Sequence, residues 1–179
     1  MSRKLGRACA FAALLAVSPL PTPAGAQPRP SVASRPLNAY DEAAVARARQ
    51  GASRRLETAE CRKLLNEFKD RNGRPLEANL ESFQMSPGEY LQMLPFFDGS
   101  ATTNCRRGAV ELVTSPGLLP VYVCPGAAGT AQSRFSSVQL RDPAFAEVMV
   151  IHEMLHTLGL GENPPTTFEI TDQVRRRCS

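Results

Sequence analysis

Both histidines of this 179-residue chain lie in one segment that carries the signals of a single helix. Asp142 is a helix-capping residue type, Pro143 suits the first helical position, and Gly159 is typical of the residue that ends a helix. His152 and His156 are four residues apart within this segment. Residues at that spacing lie one turn apart on the same helix face. Any fold of this chain must therefore hold both imidazoles side by side near the end of its most strongly predicted helix.

Two imidazoles in this arrangement can bind one metal ion, and Zn²⁺ is the ion that the spacing suggests. Glu153 is offset by one residue, so its carboxylate can reach a water molecule at the ion without being a ligand. Zinc makes such a water nucleophilic at neutral pH, and a carboxylate can accept its proton during attack on a carbonyl. The alternative is an ordinary core helix, because an apolar stripe lies beside the histidines, formed by Phe145, Val148, Met149 and Leu155. We favour the metal site, because a chain with two histidines rarely contains the His-Glu-x-x-His spacing by chance.

The motif extends beyond the second histidine and reads His152-Glu153-x-x-His156-x-x-Gly159-x-x-Glu162. Gly159 can adopt the positive φ that ends a helix and turns the chain back. This pattern resembles the zincin metallopeptidases, and specifically the extended motif of the metzincins. The resemblance implies that His152, His156 and Glu162 bind Zn²⁺ and that Glu153 is the general base and acid.

The third metal ligand has two alternatives to Glu162 further along the chain. Other zincins take an acidic ligand from a downstream segment, which here offers Glu169 or Asp172. Glu169 also completes a capping box with Thr166, which gives it a purely structural role. We therefore prefer Glu162 and keep the other two acids open.

The first 26 residues have the pattern of a secretory signal peptide. A basic start precedes an apolar stretch from Ala8 to Val17, and the small residues up to Ala26 form a cleavage site. Cleavage after Ala26 predicts a secreted or periplasmic protein. Residues 27–36 contain three prolines and are predicted to be a disordered lead-in. Residues 37–179 are then expected to form a single zincin-like metallopeptidase domain.

Four cysteines remain after this cleavage: Cys61, Cys105, Cys124 and Cys178. An even number in an exported chain favours two disulfides, for which three pairings are possible. We favour Cys105–Cys124, which would tie the outer ends of a predicted hairpin, and Cys61–Cys178. The second bond would hold the C-terminal helix, and the segment that supplies the third ligand, against an earlier helix.

The remaining segments predict an α+β fold. Helices are expected over Asp41–Gln50, Glu57–Arg71 and Ser86–Leu94, and after Thr166. Ala109–Thr114 and Leu119–Cys124 are predicted to form a hairpin, with Arg134–Leu140 as a third strand. The expected architecture is a small zincin-like domain with a short, mostly antiparallel sheet, flanking helices and two disulfides. The resemblance implies that Arg134–Leu140 is the edge strand to which a peptide substrate adds.

Charge and hydropathy exclude two classes of partner. The formal net charge is +4, but three of the 21 basic residues lie in the predicted signal peptide, so the remaining chain is nearly balanced and nucleic-acid binding is not expected. No apolar run reaches the roughly 20 residues of a membrane-spanning helix. We therefore expect a secreted, monomeric zinc metallopeptidase that acts on peptides or proteins. The alternatives are a zinc hydrolase of a non-peptide amide and a non-catalytic exported binding module with a degenerate zincin fold.

Overall fold

The computed structural model of the chain describes residues 34–108, 110–128 and 130–179, which belong to one compact unit. The predicted signal peptide, residues 27–33 of the predicted lead-in and the first residue of the predicted hairpin, Ala109, lie outside these ranges. Within them the elements are α1 (Ala39–Leu56), α2 (Ala59–Glu67), α3 (Leu76–Glu81), α4 (Pro87–Met93), β1 (Phe96–Asp98), α5 (Thr103–Arg107), β2 (Leu112–Val113), β3 (Val121–Val123), α6 (Arg134–Arg141), α7 (Pro143–Thr157) and α8 (Thr167–Arg177).

The first two helices begin at capping side chains, and their bounds differ from those predicted. The Asn38 side chain accepts two backbone N–H groups of the first turn of α1, which is longer than the predicted Asp41–Gln50. Thr58 caps α2, which covers only the middle of the predicted Glu57–Arg71. The chain after α2 turns because the Asp70 carboxylate accepts backbone N–H groups two and four residues further on.

The sheet has three strands in the order β1-β3-β2, with β1 parallel and β2 antiparallel to the central β3. Leu112 pairs with Val123, so the predicted hairpin is confirmed, although its strands are shorter than expected. β1 was not predicted, and it makes the sheet mixed rather than mostly antiparallel. Arg35, within the predicted lead-in, is held by the sheet because its carbonyl accepts the Asp98 N–H at 3.0 Å.

The prediction of a third strand over Arg134–Leu140 is wrong, because this segment forms α6. The Ser133 side chain caps the helix by accepting the Ser136 N–H at 2.9 Å. Asp41 of α1 accepts both the Ser133 backbone N–H and the Ser136 hydroxyl. This buried carboxylate fixes the first turn of α6 from more than 90 residues away, and Phe135 then enters the core.

The helix α7 packs against α1, α6 and α8. Disulfides join Cys61 of α2 to Cys178 at the end of α8, and Cys105 of α5 to Cys124 after β3. Both favoured pairings are confirmed, as is an α+β fold with a small sheet. Structural disulfides are typical of proteins that fold in an oxidising compartment. None of the helices in the described ranges has the length and apolar character needed to cross a membrane.

Candidate metal centre

The helix α7 places its histidines through the capping residues that the sequence indicated. The Asp142 side chain accepts the Phe145 N–H at 3.0 Å, and Pro143 occupies the first turn. Gly159 has a φ of +109°, a conformation that L side chains rarely adopt. A Cβ at this position would also lie 3.0 Å from the Cβ of Asp70. Glycine therefore allows the chain to reverse at the end of α7 and pass back beside His156.

Three potential ligand atoms converge at this reversal. The Nε2 atoms of His152 and His156 are 2.9 Å apart, and His156 Nε2 is 3.3 Å from Oε1 of Glu162. The three ligand atoms all lie within 4.8 Å of one another. Both imidazoles are buried, whereas the Glu162 side chain is 42% exposed. The structure thus brings together two imidazole nitrogens and one carboxylate with access to solvent.

The Nδ1 atom of each histidine and the Glu162 carboxylate have further hydrogen-bond partners. His156 Nδ1 lies 2.8 Å from the carbonyl oxygen of Leu160, and His152 Nδ1 lies 3.0 Å from the Thr171 hydroxyl. The Thr167 hydroxyl donates to Oε1 of Glu162. Contacts of this kind orient metal ligands and are important for metal affinity.

The two alternative third ligands are engaged elsewhere. The Glu169 carboxylate accepts the backbone N–H of Thr166 at 2.8 Å and its hydroxyl at 2.9 Å, so it completes the predicted capping box of α8. Asp172 forms an ion pair with Arg176, one turn further along α8, at 2.5 Å. Of the three acids, Glu162 is therefore the one that the fold places beside the histidines.

Glu153 is buried, and its Oε2 has no hydrogen-bond partner among the described residues. Burial and the nearby Glu162 carboxylate raise the pKa of Glu153 to about 8. A hydrogen bond with the Thr114 backbone lowers this pKa by a smaller amount. Burial and the neighbouring His156 lower the pKa of His152 to about 3, which keeps this imidazole neutral. A neutral imidazole is the form that binds metal, and a buried carboxyl group with one unpartnered oxygen in a cavity can exchange a proton.

One cavity of about 550 Å³ is lined by the two histidines, Glu153 and Glu162. The β2 segment, residues 110–114, forms one wall and α5 contributes Asn104 and Arg107. Phe145 and Met149 of α7 add an apolar surface beside the histidines. The cavity thus adjoins the three potential ligand atoms and the Glu153 carboxyl group.

The raised pKa of Glu153 predicts how the stability of the metal-free protein depends on pH. The folded state keeps the proton up to about pH 8, whereas the unfolded chain releases it near 4.5, so the contribution of Glu153 to stability falls as pH rises between these values. One pKa unit corresponds to about 1.4 kcal/mol, so the total change amounts to several kcal/mol.

Urea unfolding with a chelator present, at pH 5 and pH 8, tests this expectation in wild type and Glu153→Gln. The variant retains His152, His156 and Glu162, so the difference between the two proteins isolates Glu153. The free energy of unfolding of wild type should decrease more steeply with pH than that of the variant. Equal slopes would contradict the prediction.

The donor set fits a zinc ion. Two imidazole nitrogens and one carboxylate oxygen are the ligands of many catalytic zinc sites, which keep a further position open. The opening to the cavity and the exposed part of Glu162 provide that access. Sequence reasoning did not identify Thr167, Thr171 or the Leu160 carbonyl as partners of the ligands. The spacing of the two threonines, four residues apart on one face of α8, was the available signal.

Comparisons of this chain with protein-family models, with curated proteins and with solved structures find no match.

Proposed function

We propose that this protein is a secreted zinc-dependent metallopeptidase with a zincin-like domain. The observation that carries the proposal is the position of Glu153, a buried carboxylate with an unpartnered oxygen in the same cavity as three convergent metal donors. Burying a carboxylate oxygen that has no hydrogen bond costs stability. Such an arrangement is typical of a catalytic acid or base, whose pKa must be raised to exchange protons near neutral pH.

In this proposal His152, His156 and Glu162 hold the ion. When bound, zinc supplies Lewis acidity, which activates water and polarises a carbonyl group. Glu153 accepts the proton of the attacking water and then donates it to the leaving amine nitrogen.

The edge strand β2 is the proposed binding surface for the substrate backbone. This role moves to β2 from Arg134–Leu140, which is helical. The Glu111 carbonyl accepts the Cys124 N–H at 2.8 Å, so the alternation of an antiparallel ladder directs the N–H and C=O of Leu112 away from β3. Leu112 lines the cavity, and its free backbone groups can pair with an extended peptide.

The two alternatives are less well supported by these features. A non-catalytic binding module has no need for Glu153, because metal binding uses the other three residues. A hydrolase of a small non-peptide amide has no need for an open strand edge beside the cavity. The combination of Glu153 and β2 therefore favours hydrolysis of peptide bonds.

Elemental analysis of the oxidatively folded protein, followed by assays with an unstructured protein substrate, tests the proposal. We expect about one zinc per chain, and cleavage that stops on chelation and returns when zinc is restored. Metal-free protein that is folded and binds no added zinc would overturn the metal site. Zinc binding without cleavage of any peptide would instead favour the binding module.

Replacement of the acids one at a time is expected to identify the third ligand. Glu162→Gln should weaken zinc binding by more than the roughly 10–100-fold that is typical of losing an outer contact. Glu169→Gln and Asp172→Asn are matched controls that should leave zinc affinity within a few-fold of wild type, because both carboxylates face other partners. Competition with a chromophoric chelator measures the affinities. A large loss in either control, with Glu162→Gln unaffected, would reassign the ligand.

A further inference from the structure

The two histidines of the site have partners of different chemistry at Nδ1. His156 Nδ1 faces a backbone carbonyl, that of Leu160, at 2.8 Å. A carbonyl oxygen only accepts, so the neutral ring of His156 carries its proton on Nδ1 and has a bare Nε2. His152 Nδ1 faces the Thr171 hydroxyl at 3.0 Å. A hydroxyl both donates and accepts, so Thr171 allows His152 to carry its proton on either nitrogen.

The short distance between the two rings determines which nitrogen carries the proton without metal. The Nε2 atoms of His152 and His156 are 2.9 Å apart, which is a hydrogen-bond distance. Nε2 of His156 also lies 3.3 Å from Oε1 of Glu162, an oxygen that accepts the Thr167 hydroxyl. With both rings neutral and Nε2 of His156 bare, the proton between the rings belongs to Nε2 of His152. Two bare nitrogens at this distance would repel each other. Thr171 then donates to the bare Nδ1 of His152, and every polar atom of the buried pair has a partner.

Metal binding requires the opposite tautomer of His152. A nitrogen that binds a metal ion cannot carry a proton, so both Nε2 atoms must be bare. The proton on Nε2 of His152 passes to solvent and another is taken up from solvent at Nδ1, so the ring stays neutral and its proton count is unchanged. The Thr171 hydroxyl rotates and accepts this Nδ1–H instead of donating.

We propose that Thr171 is a positioning residue that supports both tautomers of His152, one in the metal-free site and the other in the loaded site. The metal-free half of this inference depends only on the ring contacts, and the loaded half rests on the proposed zinc site. A carbonyl in place of the hydroxyl would hold the proton of His152 on Nδ1. Without metal, the bare Nε2 atoms of the two histidines would then face each other at 2.9 Å. The hydroxyl keeps the ligands in place before the ion arrives, and this preorganisation favours binding.

The ¹⁵N NMR spectrum of the histidine-labelled protein distinguishes the two tautomers directly. With a chelator present, we expect His152 protonated at Nε2 and His156 protonated at Nδ1. With zinc added, both rings should be protonated at Nδ1. A metal-free protein in which His152 already carries its proton on Nδ1 would overturn the proposal.

Substitution separates positioning from a purely structural role. Thr171→Val should lower zinc affinity about 10–100-fold, because the Nδ1–H of the loaded ring loses its acceptor. Thr171→Ser keeps the hydroxyl and should restore the affinity. Thr103→Val is the matched control, since Thr103 is an exposed helical threonine away from the ligands. Chelator competition gives the affinities, and thermal unfolding of the metal-free proteins verifies that each variant folds.

The possible results distinguish this inference from the proposed function. Zinc binding to Thr171→Val as tight as to wild type would overturn the role of Thr171 while leaving the metal site intact. Failure of wild type to bind zinc would overturn the proposed function and the loaded half of the inference. The tautomer of His152 in the metal-free protein would still test the metal-free half.

Discussion

Replacement of Glu153 by glutamine is expected to abolish peptide hydrolysis while leaving zinc bound. The amide has nearly the same shape as the carboxylate but cannot accept the proton of the attacking water. General acid–base catalysis by a positioned side chain typically contributes about 10²–10⁴-fold, so kcat/KM should fall by at least this range. Glu153 is not among the three convergent donors, so the zinc content should stay at that of wild type. Peptide-cleavage kinetics and elemental analysis measure the two effects on the same preparation.

Glu81→Gln is the matched control for this experiment. It makes the same carboxylate-to-amide change on an exposed side chain of α3, outside the cavity. We expect its kcat/KM to stay within a few-fold of wild type, because Glu81 belongs neither to the metal donors nor to the lining of the cavity. Turnover of Glu153→Gln near that of wild type would refute the role of Glu153. Loss of zinc from that variant would instead make Glu153 a ligand.

Removal of the Cys61–Cys178 bond, by alanine at both positions, is expected to lower both the stability and the zinc affinity. The two cysteines are 117 residues apart, and a loop of about 100 residues corresponds to roughly 4.7 kcal/mol of loop-closure entropy. The bond also fixes the end of α8, the helix that carries Thr167 and Thr171 against the ligands. Urea unfolding measures the free energy, and chelator competition measures the affinity.

The second disulfide provides the matched control for the first. Cys105 and Cys124 are only 19 residues apart, so their removal should cost less, on the order of 3 kcal/mol. This bond does not reach α8, and zinc affinity should therefore remain close to that of wild type. Equal losses of affinity in the two double variants would contradict the proposed function of α8 as the support of the ligands.

The sequence predicted those elements whose signals are local. Asp142, Pro143 and Gly159 define α7 because a cap and a helix end involve only a few neighbouring residues. The same holds for the capping boxes at Ser86 and Thr166, which begin α4 and α8. The spacing of the histidines follows from the helix itself, so their proximity was also predictable.

Elements that depend on distant partners were predicted wrongly or not at all. The segment after Ser133 has apolar residues compatible with a short strand, but Asp41 of α1 stabilises the first turn of a helix instead. β1 has only three residues and exists because it pairs with β3. Neither outcome can be obtained from a local pattern, because the deciding hydrogen bonds join residues far apart in the chain.

The sequence by itself determined that two imidazoles lie one turn apart, with Glu153 between them and a glycine after them. It also favoured the two disulfide pairings that the structure contains. Only the tertiary structure decided which acid approaches the histidines, because Glu162, Glu169 and Asp172 are all close enough in sequence. It likewise decided that Thr171 of α8 contacts His152, since that contact depends on how α8 packs against α7. Local hydrogen bonds determine where the helix that carries the histidines begins and ends, whereas packing between helices determines which side chains of α8 contact the histidines.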